Sequence, residues 1–159
     1  MNEFFQHYAH LIVFVHVLGA IVWIGGMIAI RVAVHPVMQS IEESTIRLGK
    51  SLEITGRLFA LVAPFIVLIL LTGLSMAVAM GGLHGADRTL FIAKELIWSV
   101  MTLNYLFMVA RWCRGRRLFA SGDAAGARAS VGIIPVRLLP VNILLGLLAL
   151  WMGITLRGY

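Results

Sequence analysis

Charge is scarce in this chain. Of 159 residues only 13% are Asp, Glu, Lys or Arg, against 60% hydrophobic, and the mean hydropathy is +0.95. A water-facing surface needs more charge than that, which excludes most soluble enzymes. Cysteine is nearly absent too. Cys113 stands alone, so no intramolecular disulfide forms and a reduced thiol is expected. No fixed-period repeat and no low-complexity segment interrupts the chain. The amino-terminal stretch has no basic leader and no small-residue cleavage site, and its apolar run is long for a signal peptide. A cleavable signal is therefore not expected.

What is present is apolar sequence in four blocks. Phe4 to Ile30 contains no charge beyond histidine. Leu58 to Ala86 and Leu138 to Leu156 contain no Lys, Arg, Asp or Glu. Thr89 to Ala110 is broken only by Lys94 and Glu95. A bilayer core of about 30 Å needs about 20 apolar residues as helix. The blocks predict four transmembrane helices, over 8–34, 57–80, 88–111 and 137–156, within a single domain covering 1–159. Short connections make neighbouring helices antiparallel, so the expected fold is an all-α membrane protein, an antiparallel four-helix bundle. His35-Pro36 should end the first helix, because proline disfavours helical geometry in the residue before it. An amphipathic helix is expected over 39–56, a proline bend at Pro64, and a loop over 118–134 rich in Gly, Ala and Ser. Gly19, Gly26 and Gly73 offer places where helix backbones approach closely.

The net charge of +6 is unevenly spread. Nine of the 13 Lys and Arg fall between spans one and two or between spans three and four: Arg47, Lys50, Arg57, Arg111, Arg114, Arg116, Arg117, Arg128 and Arg137. Two, Arg88 and Arg157, fall on the other side. The positive-inside rule then places both termini outside a bacterial-type inner (cytoplasmic) membrane. Nucleic acid is not an expected partner, since the Arg114–Arg117 run lacks an interleaved aromatic platform. Membrane lipid is the expected surrounding, and a homo-oligomer is compatible with it.

Ionisable groups at membrane depth raise a functional question by default. His16 and Lys94 each lie about six positions inside a span, and the two spans run in the same direction. Their depths therefore match. A haem iron is one occupant for the space between them, since imidazole is a standard haem ligand and bundle interiors house such cofactors. Lysine ligates only as the neutral amine, the form that burial favours. The plainer alternatives are a hydrogen-bonded packing histidine, and a lysine that snorkels to the interface or pairs with Glu95. Trp23, Met27 and Arg31 continue the His16 face of helix one at helical spacing. They read either as core with a snorkelling arginine or as a tetrapyrrole wall with Arg31 available to a propionate. His35 is 19 residues from His16, roughly 28 Å along a helix, so the two cannot share one iron. Copper is the competing metal. His7, His10 and His84, with Met76, Met80 and Met152 at matching depth, offer the imidazole and thioether donors that suit Cu(I).

The stretch from His16 to Met38, HVLGAIVWIGGMIAIRVAVHPVM, resembles the first helix of the HemJ-type membrane proteins and is similar to small CopD-like membrane proteins. Arg57 to Leu74 resembles the second HemJ helix, with Pro64 at its proline. Leu90 to Val109 resembles the helix that carries that family's lysine, which falls on Lys94. The likeness covers most of 10–110. HemJ-type proteins are b-haem protoporphyrinogen IX oxidases that pass electrons to a quinone or respiratory acceptor. The resemblance implies haem b, His16 and Lys94 as its ligands, and a porphyrinogen or quinol as partner. The last helix departs from the pattern: Arg137, Pro140 and Asn142 stand in another order, with no Glu. A copper-binding or copper-transport protein of the CopD kind, and an electron-transfer or accessory membrane subunit, stay open beside the oxidase.

Overall fold

The structure, a computed structural model, describes residues 2–79 and 88–156, with side chains from His7 onward. Four long helices make it up: α1 (His7–Gln39), α2 (Ser44–Ala79), α3 (Arg88–Ala120) and α4 (Ala124–Thr155). The backbone of α1 is already helical from Asn2. Each is long and apolar enough to cross a bilayer. Only 11–28% of the most apolar stretch of each helix is buried inside the bundle. Leu11, Phe14, Leu103, Leu144 and Trp151 lie on the outer surface, more than half exposed. A surface that apolar is stable in lipid and not in water. The chain is an all-α, multi-pass membrane protein with the four-helix fold that its charge pattern predicts.

Contacts along each helix pair run in opposite directions. Gly19 meets Ile69 while Gly26 meets Leu58, which makes α1 and α2 antiparallel. Phe59 packs on Tyr105 while Gly49 faces Phe119, so α2 and α3 are antiparallel too. Asn104 bonds Asn142 while Lys94 faces Gly153, and the same follows for α3 and α4. The core along this axis is Trp23, Met27, Phe59, Val62, Met101, Tyr105, Met108 and Leu139.

Several polar groups inside the core are bonded across helices. Tyr105 donates its hydroxyl to the Phe59 carbonyl at 2.8 Å. Asn104 donates to Asn142 Oδ1 at 2.8 Å and to the Leu138 carbonyl at 3.0 Å, and fully buried Asn142 donates to the Met101 carbonyl at 3.2 Å. In hydrocarbon such groups must find partners within the protein, so this network fixes how α4 sits on α3.

The helix ends differ from the expectation. At about 1.5 Å per residue a 33-residue helix is about 50 Å long, well beyond the bilayer core. α1 does not stop at His35-Pro36 but continues to Gln39. A π-helical turn at Ile30–Val34 precedes His35-Pro36, and its widened turn accommodates the ring and the missing N–H. Another π-helical turn, Ile134–Leu138, contains Pro135 and leads into Pro140. The expected loop over 118–134 is also largely helix. α3 runs to Ala120, Gly122 turns the chain at φ +86°, and a short helix, Ala124–Val131, begins α4. Alanine favours helix, and the Asp123 carboxylate caps it by accepting from the Gly126 N–H at 2.8 Å.

That short helix folds back on α3. Arg111 donates to the carbonyls of Ser130 and Ala129, and Ser130 returns a bond to the Arg111 carbonyl. Gly115 lets Val131 and Ala127 close in, and Ala127 is completely buried. Trp112 ties α2 to the same place by donating to the Leu52 carbonyl at 2.8 Å. The basic end is thereby a packed cap with its own small core of Leu48, Leu52 and Ala127.

Candidate functional site

A cavity of about 390 Å³ opens among all four helices at the end of the bundle opposite that cap. The size is that of a small-molecule site. His16, Trp23, Lys94, Glu95, Trp98 and Met76 line it, and between them the wall is apolar. The matching depth of His16 and Lys94 inferred from the sequence is therefore realised in space.

His16 is oriented by α2. Its Nδ1 lies 2.9 Å from Thr72 Oγ1. The threonine hydroxyl has one proton, and it donates that proton back to the Leu68 carbonyl at 2.6 Å. In that arrangement the hydroxyl accepts from the imidazole. A neutral His16 bonded in this way is the Nδ1–H tautomer, with its lone pair on Nε2. Bonding one ring nitrogen to fix the tautomer of the other is how proteins prepare a histidine to ligate a metal.

Two glycines shape the floor. A Cβ on Gly73 would stand 3.5 Å from His16 Cε1 and 3.9 Å from Glu95 Oε1, so α1 and α3 bring the imidazole and the carboxylate over the same point of α2. A Cβ on Gly153 would stand 3.3 Å from Lys94 Nζ. The lysine head thus reaches across to the α4 backbone. Further in, Gly146 is pressed between Ile24 and Met101 and closes the bottom.

Trp23 lies in a π-helical turn, Ile21–Gly25, and is 2% exposed. Single π-turns inside long helices occur often at functional sites. The ring stands edge-on to Tyr105 at 6.3 Å. The indole N–H groups of Trp23 and Trp98 are both buried with no hydrogen-bond partner among the described residues. Each such donor costs about 1–3 kcal/mol.

The remaining sequence candidates separate from this site. Arg31 does not line the cavity. It is 15 residues from His16, about 22 Å along the axis, and that distance carries it beyond the cavity. Met27 is core. His35 lines a different cavity at the basic end. Of the copper candidates, Met76 lines the His16 cavity, whereas His7 and His10 are exposed and outside it and Met152 is buried elsewhere in α4. His84 and Met80 lie outside the described residues. Among the described residues no three His, Cys, Asp or Glu side chains are grouped as a metal site.

Thr72, Glu95, Trp98, Gly73 and Gly153 enter the site without having been singled out as its members from the sequence. Glu95 adjoins Lys94, which about 100° of helix rotation turns to another face. Only a cavity wide enough to meet both faces brings them together. Comparison with known protein families, with curated proteins and with solved structures gives no match for this chain.

Proposed function

We propose that this chain is a b-type haem-binding redox protein of the membrane, in which His16 and Lys94 would hold the haem iron. The observation that carries the reading is the convergence of His16, whose Nδ1 lies 2.9 Å from Thr72 Oγ1, and Lys94 on one four-helix cavity. The donor set fits the group. A neutral imidazole with its Nε2 lone pair and a neutral amine are both haem ligands in kind, and the surrounding wall is apolar. The two indole donors that lack partners also favour an occupant that brings oxygen acceptors, as a porphyrin carboxylate does.

Haem, when bound, supplies one-electron transfer. The chain's own residues do the rest. Thr72 holds the Nδ1 proton and with it the ring orientation. Gly73 and Gly153 keep side-chain bulk away from His16 and from Lys94. Glu95 is the carboxylate available to take up a proton as electrons leave a donor, and to balance the lysine when that is charged. Apolar walls exclude water and raise the strength of these interactions. A porphyrinogen or a quinol is the reductant the resemblance implies, and a quinone or respiratory acceptor the sink. The asymmetry of nine basic residues against two favours both termini outside the cytoplasmic membrane.

Two variants test the axial pair. His16→Ala should abolish haem retention, and Lys94→Met should replace a six-coordinate low-spin spectrum by a five-coordinate or His/Met type. A His16→Ala protein that purifies with full haem overturns the assignment. Copper is the second reading, carried by Met76, which lines the same cavity as His16. It requires a colourless preparation that binds Cu(I) and loses it in Met76→Leu.

A further inference from the structure

The basic end holds a second cavity, of about 200 Å³, which the redox reading does not use. Its inner wall is apolar and belongs to the spans: Ile30 and Val34 of α1, Leu52 of α2, Ile134 and Leu139 of α4. Its outer wall is polar, with Arg47 and Ser51 of α2, Arg128 of the short helix and His35 of α1. The two guanidinium groups come from segments 81 residues apart that the folded-back cap brings to one rim.

Four other cations at this end are already engaged. Lys50 and Arg57 pair with Glu53, Arg111 donates to the Ser130 and Ala129 carbonyls, and Arg116 lies over Trp112. Arg47 spends one N–H on the Ile41 carbonyl, and neither Arg47 nor Arg128 forms an ion pair among the described residues. No carboxylate lines the cavity. Guanidinium forks match phosphate oxygens in geometry as well as in charge. A cavity with two such forks at its mouth and apolar residues of the spans behind them suits an amphiphile with an anionic phosphate head. Basic pockets between transmembrane helices bind lipid head groups of this kind.

We infer that this cavity is a binding site for the phosphodiester head of an anionic phospholipid, held by Arg47 and Arg128, with the start of an acyl chain on the Ile30–Ile134 wall. The same oxyanion chemistry is offered by free phosphate, and the test separates the two. The protein is reconstituted in nanodiscs of mixed phosphatidylglycerol and phosphatidylcholine, then released for native mass spectrometry. The wild type should retain one phosphatidylglycerol in preference to phosphatidylcholine. Arg47→Gln/Arg128→Gln should bind it on the order of 10- to 30-fold more weakly, the loss expected from two surface-proximal charges. Arg128→Lys, which keeps the charge but not the fork, should lose less than Arg128→Gln. Arg128→Gln alone, at an exposed position of the short helix, gives an intermediate loss if the double variant does not fold. Equal retention by wild type and the folded variants, or no preference for the anionic lipid, overturns the inference. In discs of phosphatidylcholine alone, stabilisation by millimolar inorganic phosphate that requires both arginines, without phosphatidylglycerol retention, assigns the site to free phosphate and overturns the lipid assignment.

Discussion

Replacing Thr72 with valine keeps the shape of the side chain and deletes one oxygen. That oxygen accepts from His16 Nδ1 at 2.9 Å while its own proton is committed to Leu68. Valine leaves the imidazole two choices. Keeping Nδ1 protonated strands a donor, at about 1–3 kcal/mol. Moving the proton to Nε2 removes the lone pair from the nitrogen that the haem reading assigns to iron. Either way ligand binding weakens. Loss of such an orienting partner costs about 10- to 100-fold in metal affinity, or about 1.4–2.7 kcal/mol. Thr72→Ser keeps the oxygen and should bind within a few-fold of the wild type. The assay is titration of the haem-free protein in detergent with haemin, followed at the Soret band, for all three proteins. Wild-type affinity in Thr72→Val, or an equal loss in Thr72→Ser, refutes the orienting role.

Gly153→Leu should push the Lys94 amine off α4, because even a Cβ there lies 3.3 Å from Nζ. Its visible and electron-paramagnetic-resonance spectra should then match those of Lys94→Met, and a wild-type spectrum contradicts the placement. For the Asn104–Asn142 pair, a double-mutant cycle with alanine, read by unfolding in micelles, should give a coupling of about 0.6–1.7 kcal/mol. No coupling contradicts the network. A carboxy-terminal alkaline phosphatase fusion should be active and a fluorescent-protein fusion dark; the reverse pattern inverts the orientation.

Much of the fold was legible because the lipid-facing surface and the core are both apolar, so charge segregation marks the spans directly. The depth match of His16 and Lys94 followed from the same segregation, since it needs only helix direction and rise. Rotation about each axis was not legible. Thr72 under His16 and Gly153 under Lys94 depend on which faces meet, and one π-turn shifts a face by a full residue. Arg31, expected on the same stripe as His16 and Trp23, does not line their cavity because it lies about 22 Å from His16 along the axis. The helix ends were misread for local reasons: π-turns let Pro36, Pro135 and Pro140 sit inside continuous helical paths, and an Asp123 cap turned an Ala- and Gly-rich stretch into helix. The lipid-head cavity depends on that cap and had no signature in the spacing of its arginines.

The central claim is that the His16–Lys94 cavity holds haem. The direct measurement is the absorption spectrum of the protein purified from membranes in mild detergent, oxidised and then reduced with dithionite, beside His16→Ala. A Soret band that sharpens on reduction with resolved b-type α and β bands in the wild type, and is absent from a folded His16→Ala, is the predicted result. A wild-type preparation that is colourless and stays colourless after incubation with haemin contradicts it.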